Sequence, residues 1–197
     1  MKIRLIALLI AFIVLPALAQ AANKATVSAA ATERATLLRT AGSGARITSN
    51  SQQYQILSGV RAADIKPNEQ PQQALTRMGG GKLIETKGSF VVFSAQQSPA
   101  SVTSVNGTSY PTAYNSRTGG IGIVPGNLSV KLKDMRNAEI VAKDHGLDVV
   151  RVFAHLQTAF YRVKSGQDVV AVAAALAADA RVASAEIEVI ENIKVPN

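Results

Sequence analysis

The chain has 197 residues, 47% hydrophobic and 17% charged, enough for one large domain or two small ones and too apolar for a disordered segment. It contains no cysteine, no tryptophan and two histidines, His145 and His155, which excludes disulfide frameworks, zinc ribbons, cysteine nucleophiles and multi-histidine metal centres. The net charge of +8 is spread as +2 over Met1–Ala19, ten basic against four acidic residues over Gln20–Ile123, and nine against nine over Val124–Asn197. No cluster of basic residues appears, so no nucleic-acid partner is expected.

Lys2 and Arg4 precede an unbroken apolar run, Leu5–Leu15, followed by Pro16 and Ala17-Leu18-Ala19. A basic start, an apolar centre and a small-residue site describe a secretory signal peptide over 1–19, cut after Ala19 or Ala21. Leu5–Ala19 is 15 residues, short of the roughly 20 that span a membrane, so no stable membrane anchor is expected. The mature protein is expected to be exported, to a periplasm or to the medium.

Residues 20–122 read as a β-rich N-terminal domain. Asn23–Arg39 is Ala/Thr-rich and fits either a short helix or an extended arm; Ala41-Gly42-Ser43-Gly44 is a turn or link. Gln53–Val60 carries strand-forming residues, Pro67 and Pro71 break the chain, and Gln72–Met78 makes a short helix stopped by Gly79-Gly80-Gly81. Lys82–Thr86 and Ser89–Phe93 flank Lys87-Gly88, and Ser101–Val105 and Thr108–Tyr110 flank Asn106-Gly107, two hairpin signals. Tyr110–Gly122 is rich in Thr, Asn, Ser and Gly and reads as an irregular run into the domain boundary. Tyr54, Phe90, Phe93, Tyr110 and Tyr114 are expected to serve core packing and not a stacking platform.

Residues 123–190 are more regular. Leu128–Lys133 alternates apolar with polar, a half-buried strand. Asn137–His145 is helical with Gly146 as its stop, and Leu147–Phe153 and Thr158–Val163 are strands. Gly166-Gln167 turns the chain, Asp168 caps a helix over Val169–Ala178, and Val169, Val172, Ala173 and Leu176 form its inward stripe. Val182–Ile190 closes as a last strand, with Glu186 and Glu188 alternating against Ile187 and Val189. The fold class is therefore α+β: a mainly β region followed by a ferredoxin-like βαββαβ unit, an antiparallel sheet with two helices on one face.

Within that second region Val124-Pro125-Gly126-Asn127-Leu128-Ser129-Val130-Lys131-Leu132-Lys133 resembles the opening "VPGE-x-I-V-K-F-K" of subtilisin propeptide domains, the inhibitor I9-like group. His145-Gly146-Leu147-Asp148-Val149-Val150 is similar to that group's turn into its second strand. Gly166-Gln167-Asp168-Val169, with Leu176–Glu186, resembles its "G-x-D-V … L-x-x-D-P-x-V-x-x-A-E" close. Ala180 stands where that pattern has proline, and no Pro-Asn follows Glu186. A propeptide normally precedes its protease, yet no catalytic domain follows here before Asn197. A free-standing, exported unit of this kind, behind a separate β-rich region, resembles the external chaperones of bacterial kexin-like subtilases, the ASP external-chaperone family.

The resemblance implies a partner, a subtilisin/kexin-like serine protease encoded nearby, which needs the chaperone to fold and is inhibited while bound. It implies that the open face of the sheet meets helices of the protease and that the tail, 191–197, enters the substrate cleft as an added strand. Ile193, Lys194, Val195, Pro196 and Asn197 are the cleft-binding candidates; Ile193 and Val195 would take alternate subsites, and Pro196, without an amide proton, makes a poor scissile site. A kexin-like cleft prefers a basic residue, whereas Lys194 lies three residues short of the terminal Asn197. The tail then sits in a shifted register, or the partner is not kexin-like, or the tail stays outside the cleft.

Other chemistry is set aside: no catalytic residue, metal or cofactor is expected. There is no G-x-S-x-G elbow, and Lys143–Gly146 reads as a helix end with a cation near its dipole. His155 reads as a surface or interface residue. Gly79-Gly80-Gly81-Lys82 lacks the Ser/Thr and glycine spacing of a phosphate loop, and Asp144, Asp148 and Asp179 do not make a calcium loop. Glu186, Glu188 and Glu191 read as a solvated strand face, or as a face that meets basic residues of a partner. Two rival functions remain: a stand-alone subtilase inhibitor without a chaperone role, and an envelope or surface module holding an acidic polymer.

Overall fold

The computed structural model describes residues 35–36, 44–95 and 109–191. The expected signal peptide, the Asn106-Gly107 turn and the candidates Ile193–Asn197 lie outside the described residues. Contacts divide the chain into two compact units, Met1–Arg39, in which Ala35 and Thr36 are helical, and Thr40–Asn197, which holds everything that follows.

Two antiparallel sheets make up the larger unit. The first contains β1 (Arg46–Ser49), β2 (Gln52–Asp64), β3 (Lys82–Lys87), β4 (Phe90–Ser94), β5 (Tyr110–Tyr114) and β6 (Ile121–Ile123), in the order β3-β4-β2-β5-β6 with β1 beside the first half of β2. The second contains β7 (Asn127–Leu132), β8 (Asp148–Phe153), β9 (Thr158–Arg162) and β10 (Val182–Ile187), in the order β10-β7-β9-β8.

The long strand β2 serves two neighbours on one side, β1 through Gln52–Gln55 and β4 through Val60–Asp64. Gly59, at φ +73°, supplies the left-handed residue at the bend between these halves, a backbone state that costs glycine little. The short helix α1 (Pro71–Arg77) opens with a capping box between Gln70 and Gln73. It lays Ala74 and Leu75 against Ala63, Val91 and Phe93.

Tyr110–Gly122 departs from the irregular boundary that its composition predicts. It folds as the β5–β6 hairpin. The polar residues that suggested a loop either make the turn or are satisfied inside: the Asn115 Oδ1 accepts from the amides of Arg117 at 3.0 Å and Thr118 at 3.3 Å, an Asx-type turn. Thr112 is fully buried and its hydroxyl donates to the Val60 carbonyl at 2.9 Å, so its polarity costs nothing there.

The second sheet has the expected βαββαβ order, with helices α2 (Ala138–Asp144) and α3 (Val169–Ala178). Asp168 caps α3, its Oδ1 accepting from the amides of Val170 at 2.9 Å and Ala171 at 3.1 Å. Leu128, Val130, Leu132, Ala159 and Tyr161 on the sheet close over Val141 and Ala142 of α2 and Val169 and Leu176 of α3. Val172 and Ala173 pack at the margin of that core. The buried Tyr161 hydroxyl donates to the Ala138 carbonyl at 2.9 Å, and burial pushes its pKa up to about 12. The same apolar cluster runs on into Ile47, Tyr54, Ile56 and Ala113 of the first sheet, so the sheets share a core.

The last strand also differs from expectation. Val182–Ile190 does not stay in one sheet: β10 ends at Ile187, and Ile190 pairs with Ile123 of β6 through two backbone hydrogen bonds of 2.9 Å each. Ile187 and Val189 are both buried. The chain crosses at this point because the shared core draws both side chains inward.

Candidate partner-binding face

Alternation along the four strands of the second sheet sends one set of side chains toward α2 and α3 and the other set to the opposite face. Strand register arranges that opposite face in three rows. Ser184, Lys131, Thr158 and Phe153 make the first, and Glu186, Ser129, Phe160 and Arg151 the second. Asn127, Arg162 and Asp148 continue in the third, where the Glu188 amide donates to the Asn127 carbonyl at 3.0 Å.

Charges of both signs stand exposed across these rows: Glu186 on β10 and Glu188 just after it, Lys131 on β7, Arg162 on β9, and Arg151 with Asp148 on β8. Phe160 lies in the second row between Ser129 and Arg151, with Phe153 beside it at the β8 edge. Phe153 and Phe160 meet edge to face with centroids 5.7 Å apart, His155 lies 6.2 Å from Phe153, and the Arg151 guanidinium sits 5.7 Å from the Phe153 ring. The third row is tied together: Arg162 Nε donates to Asn127 Oδ1 at 3.0 Å, and Asn127 Nδ2 donates to Glu188 Oε2 at 2.8 Å. Beside its Asp148–Arg162 end a cleft of about 380 Å³ is lined by Tyr110, Pro125, Val163 and Lys164.

Strand β8 closes the sheet on the side away from β10, and its neighbourhood is unusually apolar for a surface. Val150 is 49% exposed and Leu156 57%, while Val152, 40% exposed, pairs with Ala159 and stands on the helical side of the same edge. Exposed apolar groups beside an aromatic cluster, rimmed by charge, are the surface chemistry of a protein-binding patch. The sequence pattern marks Glu186 and Glu188 on this face. It misses Phe153, Phe160 and Arg151, because their meeting depends on pairing between β8 and β9, and a register shift between Val149 and Arg151 puts Asp148 and Arg151 on one side although they are three positions apart.

The remaining singled-out residues have structural partners. His145 ends α2, and its Nε2 lies 3.0 Å from Asp179 Oδ2. Arg181 bonds Asp179 at 2.6 Å and Asp144 at 2.8 Å. The Arg181 side chain and amide, with His145, hold the Asp179 carboxyl well below the usual range. This network joins the end of α2 to the turn entering β10. His155 is exposed in the turn after β8.

Glu191 is not on the open face. Its Oε2 accepts from the Tyr54 hydroxyl at 2.9 Å and from Asn115 Nδ2 at 3.0 Å, and its Oε1 accepts from the Thr118 hydroxyl. Burial works against its charge, but the hydrogen bonds from Thr118, Asn115 and Tyr54, with Lys87 nearby, outweigh it and keep the carboxyl below its ordinary value. Tyr54 is raised in turn, by burial and by the Glu191 carboxylate. Sequence distance conceals this cluster, since Tyr54 and Glu191 are 137 positions apart.

A family profile described as the open reading frame 2 N-terminal domain matches residues 29–196. No curated protein sequence matches the chain. Among solved structures, the crystal structure of the Aeromonas sobria serine protease in complex with the chaperone ORF2 contains a similar chain, 18% identical, over 78% of this chain and 100% of that one, with a TM-score of 0.42.

Proposed function

From the premise that this chain belongs to the open reading frame 2 N-terminal domain family, we propose that it is an external chaperone of a serine protease of the subtilisin/kexin type, and that it inhibits the enzyme while bound. The family shares its designation with the chaperone ORF2 that was crystallised with the Aeromonas sobria serine protease. The propeptide-like motifs of Val124–Glu186 support the same reading, and they fall on β7, on the entry to β8, and on α3 and β10.

The observation that carries the proposal is the open face of the β10-β7-β9-β8 sheet. Its other face is spent on α2 and α3, whereas this one presents the Phe153–Phe160 pair together with exposed groups of both charges, Glu186 and Glu188 at the β10 side and Lys131, Arg151 and Arg162 nearer the rings. Such a face suits the amphipathic helices of a folding partner. Subtilases build a parallel sheet from long-range contacts and cross a high folding barrier, and a preformed surface that binds their helices in native orientation lowers it. The cleft-binding candidates, Ile193–Asn197, then lie in the substrate cleft, with Ile193 and Val195 in alternate subsites and Pro196 resisting cleavage. The protein acts after export, in the periplasm or the medium.

The test is a pull-down with tagged Gln20–Asn197 from the secreted fraction of the source organism. The expected result is a stoichiometric serine protease whose denatured form, once this protein is removed, regains activity only if it was refolded in its presence. Recovery of a protease that refolds equally well alone reduces the function to inhibition. Recovery of a polymer or envelope component, with no protease, overturns the reading in favour of a surface module.

A further inference from the structure

We propose that the first sheet is a holder for the C-terminal segment, with Glu191 as the positioning residue that sets how residues 192–197 are presented to the protease. This deepens the cleft-binding reading above and rests on it. It also gives the β-rich region, which the propeptide-like motifs leave unexplained, a task of its own.

Three contacts converge on the segment immediately before the tail. Ile190 forms a two-way backbone pair with Ile123 on β6, the last strand of its sheet. Val189 is buried against Gly122, and a Cβ placed on Gly122 would collide with Val189 Cγ1. Glu191 is gripped by hydroxyl, amide and hydroxyl donors from Tyr54, Asn115 and Thr118, and a Cβ on Gly120 would collide with its carboxylate. The glycines at 120 and 122 thus leave the hollows into which Glu191 and Val189 fit, two residues apart on each side. Tyr54 comes from β2, and Asn115 and Thr118 come from the β5–β6 turn, so the grip exists only when the first sheet is assembled.

A segment ordered before binding loses less entropy when it enters a cleft. Holding residue 191 also fixes the register of the residues beyond it, since a strand added to a cleft is read in steps of two. The titratable groups facing the carboxylate are Tyr54 on β2 and the cationic Lys87 on β3, which also pairs with Glu85 at 3.4 Å, while Arg117 in the β5–β6 turn acts on Tyr54. Protonation of Glu191 removes its charge-assisted bonds, so the grip is retained above the ordinary carboxylate range and released as pH falls through the lowered value.

The experiment measures amide exchange at Ile123 and Ile190 in the mature chain, together with inhibition of the serine protease recovered in the pull-down. Glu191→Ala is expected to speed exchange at both amides, and to weaken inhibition, by about tenfold or more, with Val130 and Tyr161 amides unchanged. Glu191→Gln, which keeps one acceptor oxygen, for Tyr54 and Asn115 or for Thr118 but not for both sides, is expected to fall between, and its inhibition should no longer follow the acidic transition seen in the wild type. Gly122→Val should reproduce the loss without touching a charge. Faster exchange with inhibition within twofold of wild type overturns the positioning role, and unchanged exchange overturns the holder itself. A wild-type protein that does not inhibit overturns the cleft-binding reading instead, and with it any positioning role for Glu191.

Discussion

Truncating Phe160 to alanine separates the proposed binding face from the fold that carries it. The ring is half-buried in the middle row of the open face, edge to face with Phe153 at 5.7 Å. Truncating a fully buried phenylalanine costs about 3–5 kcal/mol; half that burial gives roughly 2 kcal/mol, which includes the loss of an aromatic pair worth about 0.5–1.5 kcal/mol. A domain stable by about 5–15 kcal/mol survives that loss. An aromatic anchor at the centre of an interface costs about 2–4 kcal/mol of binding when truncated, roughly 30-fold to 1,000-fold in Kd. The binding effect therefore exceeds what partial unfolding supplies, since at this stability less than a few per cent of the variant is unfolded. The assay is a thermal melt paired with a titration against the partner protease, with Ile140→Ala as control. Ile140 is 51% exposed on α2, on the helical side of the sheet. Binding of Phe160→Ala within twofold of wild type, or an equal loss in Ile140→Ala, refutes the assignment of this face.

Deleting Ile193–Asn197 should weaken or abolish inhibition and leave the melt unchanged; unaltered inhibition removes the tail from the mechanism while leaving the sheet face standing. Asp168→Ala strips two amides at the start of α3 of their acceptor and should cost about 1 kcal/mol, a fall in Tm of about 2–4 °C for a domain of this size, measured by calorimetry. Acidification should release the C-terminal segment: Glu191 titrates below its ordinary value, so its contribution is complete above about pH 4.5 and is lost as pH drops through the folded-state value. Exchange at the Ile190 amide, corrected for its intrinsic pH dependence, reads that transition, and a flat profile in the wild type contradicts it.

Much of the second sheet was legible from local pattern. The alternation of Leu128, Val130 and Leu132 places one side of β7 in the core, Asp168 announces α3, and Gly146, at φ +65°, closes α2. Each of these signals is contained within a few residues, where strand period, helix period and cap chemistry act directly. The open face was legible only in part. Glu186 and Glu188 follow one alternation, whereas the meeting of Arg151 and Phe153 with Phe160 is set by pairing across β8 and β9, and the register shift in β8 puts Asp148 and Arg151 on one side although they are three positions apart.

The first sheet and the course of the C-terminal segment were decided by tertiary structure. Nothing local distinguishes the Thr- and Asn-rich Tyr110–Gly122 from a loop; it is a hairpin because β2 offers Val60 and its neighbours as partners and takes Thr112 into the core. The sequence by itself determines that Val182–Ile190 is extended and half apolar, and no more than that. Which sheet receives Ile190, and that Glu191 meets Tyr54, Asn115 and Thr118, depends on an open edge at β6 and on the hollows left by Gly120 and Gly122. Such fits have no period along the chain, because the side chains that meet are brought together by pairing across sequence separations of up to 137 residues.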